Sequence, residues 1–225
     1  MSGLRALDCF CGAGGATRGL QQAGFARVDG VDLVRQRRYV GDTFIQADAL
    51  EILKLDLRAY DFIWASPPCQ GYTSMRHAPG ARGAPRLIGQ VRTLLQVSGV
   101  PWCIENVEDA AWDMIDPVIL CGSMFGLGAQ GYQLQRHRAF ECSFPVKRPA
   151  CLHDRRAVIG VYGGHARRRA ASVGGRSTRD VWAGGHKAAA SEALGIDWMT
   201  LGELSESIPP AYAKWVARQW LALRP

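Results

Sequence analysis

Two short stretches of the sequence place a reactive type of side chain directly after a predicted strand. Pro67 and Pro68 fix the backbone just before Cys69, and an ionised thiol is the strongest nucleophile that a protein offers near neutral pH. Glu105-Asn106-Val107 follows the predicted strand Trp102–Ile104 and supplies a carboxyl group that could act as an acid. Taken alone, Glu105 could equally be a surface carboxylate at a strand end. Together the two stretches indicate nucleophilic catalysis assisted by an acid.

A glycine-rich turn and two acidic residues suggest a second ligand. Phe10-Cys11-Gly12-Ala13-Gly14-Gly15 lies between a predicted strand and a predicted helix, where glycine lets the backbone approach a ligand. Asp32 ends the second strand, the usual place for a carboxylate that accepts ribose hydroxyls, and Asp48 could reach an adenine amino group. A plain strand–helix turn is the alternative. No lysine follows the glycines as in a triphosphate-binding loop, so the pattern favours an adenosine ligand.

The order of predicted elements indicates how these residues meet. Short apolar runs alternate with helical patterns, which predicts a doubly wound, mostly parallel α/β sheet. The carboxyl ends of parallel strands share one edge, so Cys69, Glu105 and the glycine turn should lie together. After Phe144 the pattern breaks, and Pro209-Pro210 opens a final amphipathic helix. The predicted strands are Leu4–Phe10, Ala26–Asp32, Thr43–Gln46, Tyr60–Ala65, Trp102–Ile104 and Val158–Tyr162, with weaker candidates at Val118–Cys121 and Ala139–Cys142, and the predicted helices include Ala16–Ala23 and Leu87–Ser98.

Composition and charge limit the class of protein. The chain has 225 residues and a net charge of +7, and residues 134–187 carry ten Arg and two Lys against three acidic residues. This segment alone is therefore at +9, as expected of a surface that binds a polyanion, although an arginine-rich solubilising loop is the alternative. Seven cysteines are an odd number that favours reduced thiols in a cytoplasmic protein. No apolar run approaches a membrane helix, and the first residues do not resemble a secretory signal.

Taken in order, the motifs resemble those of the cytosine-C5 DNA methyltransferase family. The similarity covers Leu4–Phe140 and resumes from about Ala193 to Leu223. The matching stretches are Leu7-Asp8-Cys9-Phe10-Cys11-Gly12-Ala13-Gly14-Gly15, Pro68-Cys69-Gln70, Glu105-Asn106-Val107, Arg136-His137-Arg138-Ala139-Phe140 and Ile208-Pro209-Pro210.

The resemblance implies a cofactor, a substrate and a role for each matched residue. S-adenosylmethionine would be the methyl donor, and cytosine in DNA, flipped out of the duplex, would be the acceptor. Cys69 would add to C6 of cytosine, Glu105 would hold the ring N3 and the amino group, and Arg138 would help Glu105 orient the ring. Arg136 would contact the substrate backbone. The implied cofactor-binding residues are Phe10, Gly12, Gly14, Gly15, Asp32, Asp48 and Pro68, and the implied substrate-binding residues are Gln70, Thr73, Arg76, Asn106, Arg167 and Arg168.

The sequence departs from the family pattern mainly in length. Only 51 residues separate Phe140 from Glu192, well below the usual target-recognition region, and Leu134 and Ser205-Glu206-Ser207 replace residues that the family usually has. We expect a catalytic core at 1–140, a reduced basic recognition segment at 141–190 and a helix completing the core at 191–225. A compact enzyme of this kind would suit a phage, a mobile element or a restriction-modification system.

The short recognition segment leaves other functions open. These are the same reaction on RNA or on a cytosine mononucleotide, transfer of a different group from a modified S-adenosylmethionine, and a non-catalytic binding subunit. A protein partner could also supply target recognition. Zinc binding through Cys142, Cys151, His153 and His165 is a further possibility, but this spacing fits no common zinc motif, so we predict no metal site.

Overall fold

The computed structural model describes residues 3–72, 83–169 and 182–224. The strands are β1 Arg5–Cys9, β2 Arg27–Asp32, β3 Thr43–Gln46, β4 Phe62–Ala65, β5 Trp102–Val107, β6 Val118–Leu120, β7 Gly128–Ala129, β8 Tyr132–Leu134, β9 Arg138–Cys142, β10 Val158–Tyr162 and β11 His165–Arg169. The helices are α1 Gly15–Ala23, α2 Ala49–Ile52, α3 Ile88–Ser98, α4 Gly185–Leu194, α5 Leu201–Glu206 and α6 Pro210–Leu221, with 3-10 turns at Glu108–Asp113 and Gly122–Phe125.

Seven strands form the main sheet in the order β3-β2-β1-β4-β5-β9-β6. The strands from β3 to β5 are parallel, whereas β9 runs antiparallel to both β5 and β6. This arrangement confirms the predicted mostly parallel α/β sheet. It also places the carboxyl ends of five strands at a single edge.

Both faces of the main sheet are covered, which explains the nearly continuous apolar strands. In β4, Ile63 and Ala65 pack toward α2 and α3, whereas Phe62 and Trp64 pack toward α1 and α6. All four side chains have no exposed surface. The close approach of α1 to α6 depends on Gly19, because a Cβ there would lie 2.3 Å from the carbonyl oxygen of Pro210.

A smaller sheet of four strands has the order β11-β10-β8-β7. Its core contains Ile159, Val161 and Trp182, together with residues of α4 and α5. Strands β7 and β8 precede residue 140, while β10 and β11 follow it. The predicted basic segment thus shares a sheet with residues from the predicted core, and the division of the chain into domains stays a prediction.

The structure adds to the predicted elements and corrects one boundary. The predicted ranges of β3 and β10 are confirmed, but β7, β8, β11, α2, α4 and α5 were not predicted. Strand β5 continues to Val107, so Glu105 lies inside it and pairs with Phe140 of β9. The predicted end of this strand at Glu105 is therefore two residues too early, because pairing with β9 extends the strand to Val107. In the described part of the chain, every helix is too short or too polar to span a membrane.

Candidate active site

A cavity of about 850 Å³ lies at the carboxyl edge of the parallel strands. This volume is within the range of small-molecule and cofactor sites. The cavity gathers residues that are far apart in sequence, and their shared location was predicted from the strand order. The predicted site residues that line it are Phe10, Gly12, Gly15, Asp32, Asp48, Pro68, Cys69, Gln70, Glu105, Asn106 and Arg138.

The turn after β1 needs glycine at particular positions. Gly12 and Gly14 have φ angles of 49° and 90°, in the left-handed region that suits glycine, and Phe10 also has a positive φ of 59°. A Cβ on Gly14 would lie 2.8 Å from the Val40 side chain, whereas one on Gly12 would meet open space. Gly12 therefore presents bare backbone to the cavity. Gly14, a predicted cofactor residue, instead shapes the start of α1 without lining the cavity.

Gly15 has a packing role that the sequence did not reveal. A Cβ at this position would lie 2.2 Å from Oγ of Ser207 and 2.5 Å from the carbonyl oxygen of Ile208. Glycine here lets the segment between α5 and α6 close one side of the cavity. Ser207 and Ile208 also line the cavity, so this packing shapes the site directly.

The two acidic residues of the predicted adenosine site line the cavity and also accept hydrogen bonds from backbone nitrogens. Asp32 accepts hydrogen bonds from the backbone nitrogens of Gly12, at 3.0 Å, and Val34, at 2.9 Å. Asp48 accepts one from the backbone nitrogen of Leu50 at 2.9 Å and caps α2. Each carboxylate keeps spare acceptor capacity, because a carboxylate has about four lone-pair sites. Asp32 thus positions the glycine turn and can still receive a ligand hydroxyl.

Exposed apolar side chains border the same part of the cavity. Leu33 and Val34 are 68% and 64% exposed, and both line the cavity beside Asp32. A flat, partly apolar group such as an adenine ring would cover this surface. Bare backbone at Gly12, carboxylate oxygens at Asp32 and an apolar rim together fit an adenosine-containing cofactor.

Asp8 is a buried acid in the cavity lining that sequence reasoning did not single out as a site residue. Its Oδ2 accepts a 2.6 Å hydrogen bond from Oγ1 of Thr17. Oδ1 has no partner within the described residues. Burial raises the pKa of Asp8 to about 7. The only available signal was an acid within an apolar strand, beside the glycine turn.

Asn106 holds the turn that carries Cys69. Its Nδ2 donates a 2.9 Å hydrogen bond to the carbonyl oxygen of Pro67, and its Oδ1 accepts one from the backbone nitrogen of Val107. A second backbone bond joins the nitrogen of Tyr72 to the carbonyl oxygen of Cys69 at 2.9 Å. Asn106 was predicted to bind substrate, and these contacts show it positioning the loop of the predicted nucleophile.

Cys69 lies half-buried between opposite charges. Burial raises the pKa of its thiol above the usual 9.0, the positive charge of Arg138 lowers it, and the negative charge of Glu105 raises it. The free protein therefore holds Cys69 mainly as a thiol at neutral pH. A bound ligand that neutralises Glu105 would leave the effect of Arg138 and favour the thiolate.

Glu105 and Arg138 form an ion pair beside Cys69. Oε1 of Glu105 lies 3.2 Å from Nε of Arg138, and both side chains are largely buried. Burial raises the pKa of Glu105, while Arg138 and a hydrogen bond from Ser66 lower it. Arg138 is fixed by a further 2.9 Å bond from NH1 to the carbonyl oxygen of His137. A buried carboxyl of this kind can exchange a proton with a ligand.

The side chain of Arg136 is held by backbone carbonyl groups. It is buried and donates to the carbonyl oxygens of Val161, Ser205 and Ser207 at 2.5–2.8 Å. Burial lowers its pKa to about 9, so the side chain is still protonated at neutral pH. Three carbonyl groups hold the guanidinium, and Arg136 does not line the cavity, so its contact with the substrate backbone stays a prediction.

The remaining predicted substrate residues that the structure describes are Gln70, Arg167 and Arg168. Gln70 is exposed at the cavity rim, and Thr73 and Arg76 lie outside the described residues. Cζ of Arg167 lies over the ring of Tyr162, 5.1 Å from the ring centroid, and neither residue lines the cavity. On the other face of β11, Arg168 stacks on Trp182 at 4.7 Å and on Tyr132 at 5.3 Å.

The zinc ligands considered from the sequence are not a single group. Cys142 lies in β9 beside Cys103, and His165 at the start of β11 contacts the carbonyl oxygen of Gly163 and the ring of His186. The proposed set is therefore wrong for these two residues. The separation arises because β9 and β11 belong to different sheets.

The sequence matches no protein-family profile and no curated protein. The structure is similar over 98% of this chain to an E. coli protein assigned as a DNA modification methyltransferase encoded within a prophage, of which it covers 99%, with a TM-score of 0.60 and 14% identity. A partial likeness to the S. pombe Dnmt2 methyltransferase covers 64% of this chain and 51% of that one (TM-score 0.39, 17% identity) and supports no argument. At these identities the full-length likeness establishes a shared fold, and this chain has the α/β fold of the prophage protein.

Proposed function

We propose that this protein transfers a methyl group from S-adenosylmethionine to C5 of cytosine in DNA. The observation that carries the proposal is the meeting of Cys69, the Glu105–Arg138 pair and the glycine turn in a single cavity. A nucleophile, a proton donor and an adenosine-type pocket are what this reaction needs. The fold, shared with a protein assigned as a DNA modification methyltransferase, supports the proposal.

The cofactor end of the cavity would be the part nearest the glycine turn. Gly12 would bring backbone close to the amino-acid part of S-adenosylmethionine, Asp32 would accept the ribose hydroxyls, and Leu33 would cover the adenine. Asp48 would bind the adenine amino group. When bound, the cofactor supplies a methyl group on a positively charged sulfur.

Cys69 would start the reaction by forming a bond from its sulfur to C6 of the cytosine. The proton of the thiol must leave first, and Arg138 favours its loss. Addition moves the C5–C6 electron pair toward C5, which makes that carbon nucleophilic. The turn held by Asn106 keeps the sulfur in place, so little ordering is needed at the moment of attack.

Glu105 would control the charge on the cytosine ring. Negative charge develops on the ring as the sulfur adds, and a protonated Glu105 can donate to N3 while its other oxygen faces the amino group. Burial favours this neutral carboxyl form, and Arg138 stabilises the carboxylate that remains after proton transfer. Glu105 could thus donate a proton as a neutral acid and remain stable beside Arg138 as a carboxylate.

The final steps restore the enzyme. C5 takes the methyl group, a base removes the C5 proton, and the electron pair of that C–H bond re-forms the C5–C6 double bond. The C6–S bond then breaks, and Cys69 leaves as a thiolate. The methylated ring then returns the N3 proton to the carboxylate of Glu105. With the C6–S bond broken and this proton returned, the enzyme would be unchanged.

Nucleic acid would bind through the basic segment at residues 134–187. Residues 134–187 carry a net charge of +9 by sequence, which favours phosphate binding without sequence readout. A cytosine inside a duplex is out of reach, so the base must be flipped into the cavity. Gln70, which lines the cavity, would contact the DNA near the flipped base.

The short recognition segment supports a second candidate, the same reaction on RNA or on a cytosine mononucleotide. With 51 residues between Phe140 and Glu192, the protein has little room for a domain that reads duplex sequence. Small or single-stranded substrates make smaller demands on that region.

Mass spectrometry of nucleosides separates these candidates. The protein is incubated with S-adenosylmethionine and, in separate reactions, duplex DNA, single-stranded DNA, transfer RNA or dCMP. We expect 5-methylcytosine in DNA and no product with Cys69→Ser, while Cys142→Ser stays active. Product in RNA or dCMP alone would favour the second candidate, and product made by Cys69→Ser would overturn the mechanism.

A further inference from the structure

A second group of thiols and imidazoles lies outside the cavity. It consists of Cys121, His137, Cys151 and His153, and one potential ligand atom from each residue lies within 4.8 Å of all the others. Nε2 of His153 is 3.4 Å from Sγ of Cys121 and 3.2 Å from Sγ of Cys151. Nε2 of His137 is 3.9 Å from Sγ of Cys151. We call these four residues the Cys2His2 cluster.

The spacing of the Cys2His2 cluster matches a tetrahedral zinc site. With Zn–S bonds of about 2.3 Å and Zn–N bonds of about 2.0–2.1 Å, a tetrahedron has ligand–ligand edges of roughly 3.3–3.8 Å. Three of the six ligand–ligand distances, the sulfur–nitrogen separations of 3.2–3.9 Å, lie close to this range. All four ligand atoms lie within 4.8 Å of one another, so a central ion would draw any wider pair together.

Groups around the cluster fit metal-bound thiolates and imidazoles. Oγ of Ser123 lies 3.3 Å from Sγ of Cys121, and the backbone N–H of Met124 also donates to this sulfur. These donors would stabilise a thiolate. On the other side, Oε2 of Glu108 lies 3.8 Å from Nδ1 of His137, the ring nitrogen that faces away from the cluster. At metal sites, a carboxylate beside the far ring nitrogen of a ligating histidine commonly orients the ring.

The cluster joins three separate parts of the chain. Cys121 directly follows β6, His137 directly precedes β9, and Cys151 and His153 lie in the connection between β9 and β10. The backbone hydrogen bonds of the sheets do not hold this connection where it carries Cys151 and His153. A shared ion would fix it against the edge of the main sheet.

We propose that Cys121, His137, Cys151 and His153 bind one structural zinc ion. Two thiolates and two imidazoles form a common set for structural zinc, and four protein ligands leave no open position for catalysis. Binding releases the two thiol protons to solvent, and no redox change is involved. The ion anchors the connection between β9 and β10 and holds His137 between Arg136 and Arg138. This role does not depend on the reaction that the cavity performs.

Metal content tests the proposal on the full chain, purified without a metal-binding tag. We expect about one zinc ion per chain by elemental mass spectrometry. Cys151→Ala and His153→Ala, both near the surface, should bind zinc at least about tenfold more weakly. Cys142→Ala and His165→Ala are matched controls of the same residue types outside the cluster and should retain the ion.

Reconstitution of the wild-type protein provides a test that needs no variant to fold. Cobalt(II) replacing zinc should give thiolate charge-transfer absorption and the strong visible bands of a tetrahedral site, and added zinc should remove both. Three results would overturn the proposal: wild-type protein that neither contains zinc nor binds it in competition with a chelator, full zinc content in His153→Ala, or a Cys121–Cys151 disulfide in protein prepared under reducing conditions.

Discussion

The protein contains two thiol environments that differ in their neighbours. Cys69 is half-buried at the end of a proline-fixed turn, beside a guanidinium and a carboxyl group. Cys121 and Cys151 instead face the imidazoles of His137 and His153. A nearby cation stabilises a thiolate but leaves its lone pair free for carbon, whereas neutral imidazoles share a metal with it. The neighbours, more than the thiol, therefore decide what each cysteine can do.

Three consecutive residues connect the two environments. Arg136 donates to carbonyl groups of Val161 in β10, Ser205 in α5 and Ser207 just after α5. His137 belongs to the Cys2His2 cluster, and Arg138 pairs with Glu105. In this stretch Arg136 connects the two sheets, His137 is a proposed metal ligand and Arg138 lines the cavity. Variants at these positions and in the two sites test the assignments.

The largest expected effect is the loss of methyl transfer in Cys69→Ser. A serine hydroxyl is a far weaker nucleophile than a thiolate, so the rate should fall by more than about 10³-fold. Transfer of labelled methyl groups to DNA measures the rate. Cys142→Ser, which changes a half-buried cysteine outside both sites, should stay within about threefold of the wild type. Equal losses in both variants would remove the distinction between Cys69 and the other cysteines.

A large effect on stability is expected from Arg136→Gln. The change leaves three carbonyl groups without their charged donor and should lower the free energy of unfolding by about 2–4 kcal/mol. Arg138→Gln should cost less, because Glu105 can take up a proton when its partner is lost. Urea unfolding of both variants measures the difference. A larger loss for Arg138→Gln would reverse the assignment of the two arginines.

Sequence patterns predict the residues of the cavity better than the residues around Arg136 and the Cys2His2 cluster. Cys69 and the glycine turn lie in local motifs at strand ends, where the backbone rules for parallel sheets predict their meeting. Arg136 matched a motif equally well, but its contacts come from β10, from α5 and from the residue after α5, which no local pattern reveals. The Cys2His2 cluster needs β6, β9 and a distant connection to meet. Long-range packing of this kind determines the surroundings of Arg136 and of the Cys2His2 cluster, and sequence spacing does not reveal it.

A moderate, pH-dependent effect on stability is expected from Asp8. The pKa of the folded carboxyl is raised to about 7, whereas the unfolded carboxyl titrates near 3.8. Its contribution to stability is therefore full below pH 3.8 and is lost as the pH rises toward 7, at about 1.4 kcal/mol per pKa unit at most.

Asp8→Asn should remove this dependence while keeping an acceptor for Thr17. The variant should gain stability relative to the wild type as the pH rises from about 5 to 7. Urea unfolding at several pH values measures the difference. A difference that does not change with pH would show that Asp8 is ionised throughout.

The smallest expected effect concerns the acidity of Cys69. Because Arg138 lowers the pKa of this thiol, Arg138→Gln should slow its alkylation by iodoacetamide a few-fold at pH 8. In the wild type the rate should still rise above pH 9, since burial keeps the pKa above 9.0. Peptide mapping separates Cys69 from the other cysteines. Alkylation of Cys142, which lies outside both sites, serves as the internal control, and an equal change at both cysteines would contradict the local effect.

The most direct test of the central claim is trapping of the covalent intermediate. DNA containing 5-fluorocytosine is incubated with S-adenosylmethionine and the protein, because fluorine at C5 cannot leave as a proton and the C6–S bond then persists. We predict a complex that survives denaturation, with the nucleotide attached to Cys69 in the mapped peptide, and none with Cys69→Ser. A complex attached to a different cysteine, or product from normal DNA with no trapped complex, would contradict nucleophilic catalysis by Cys69.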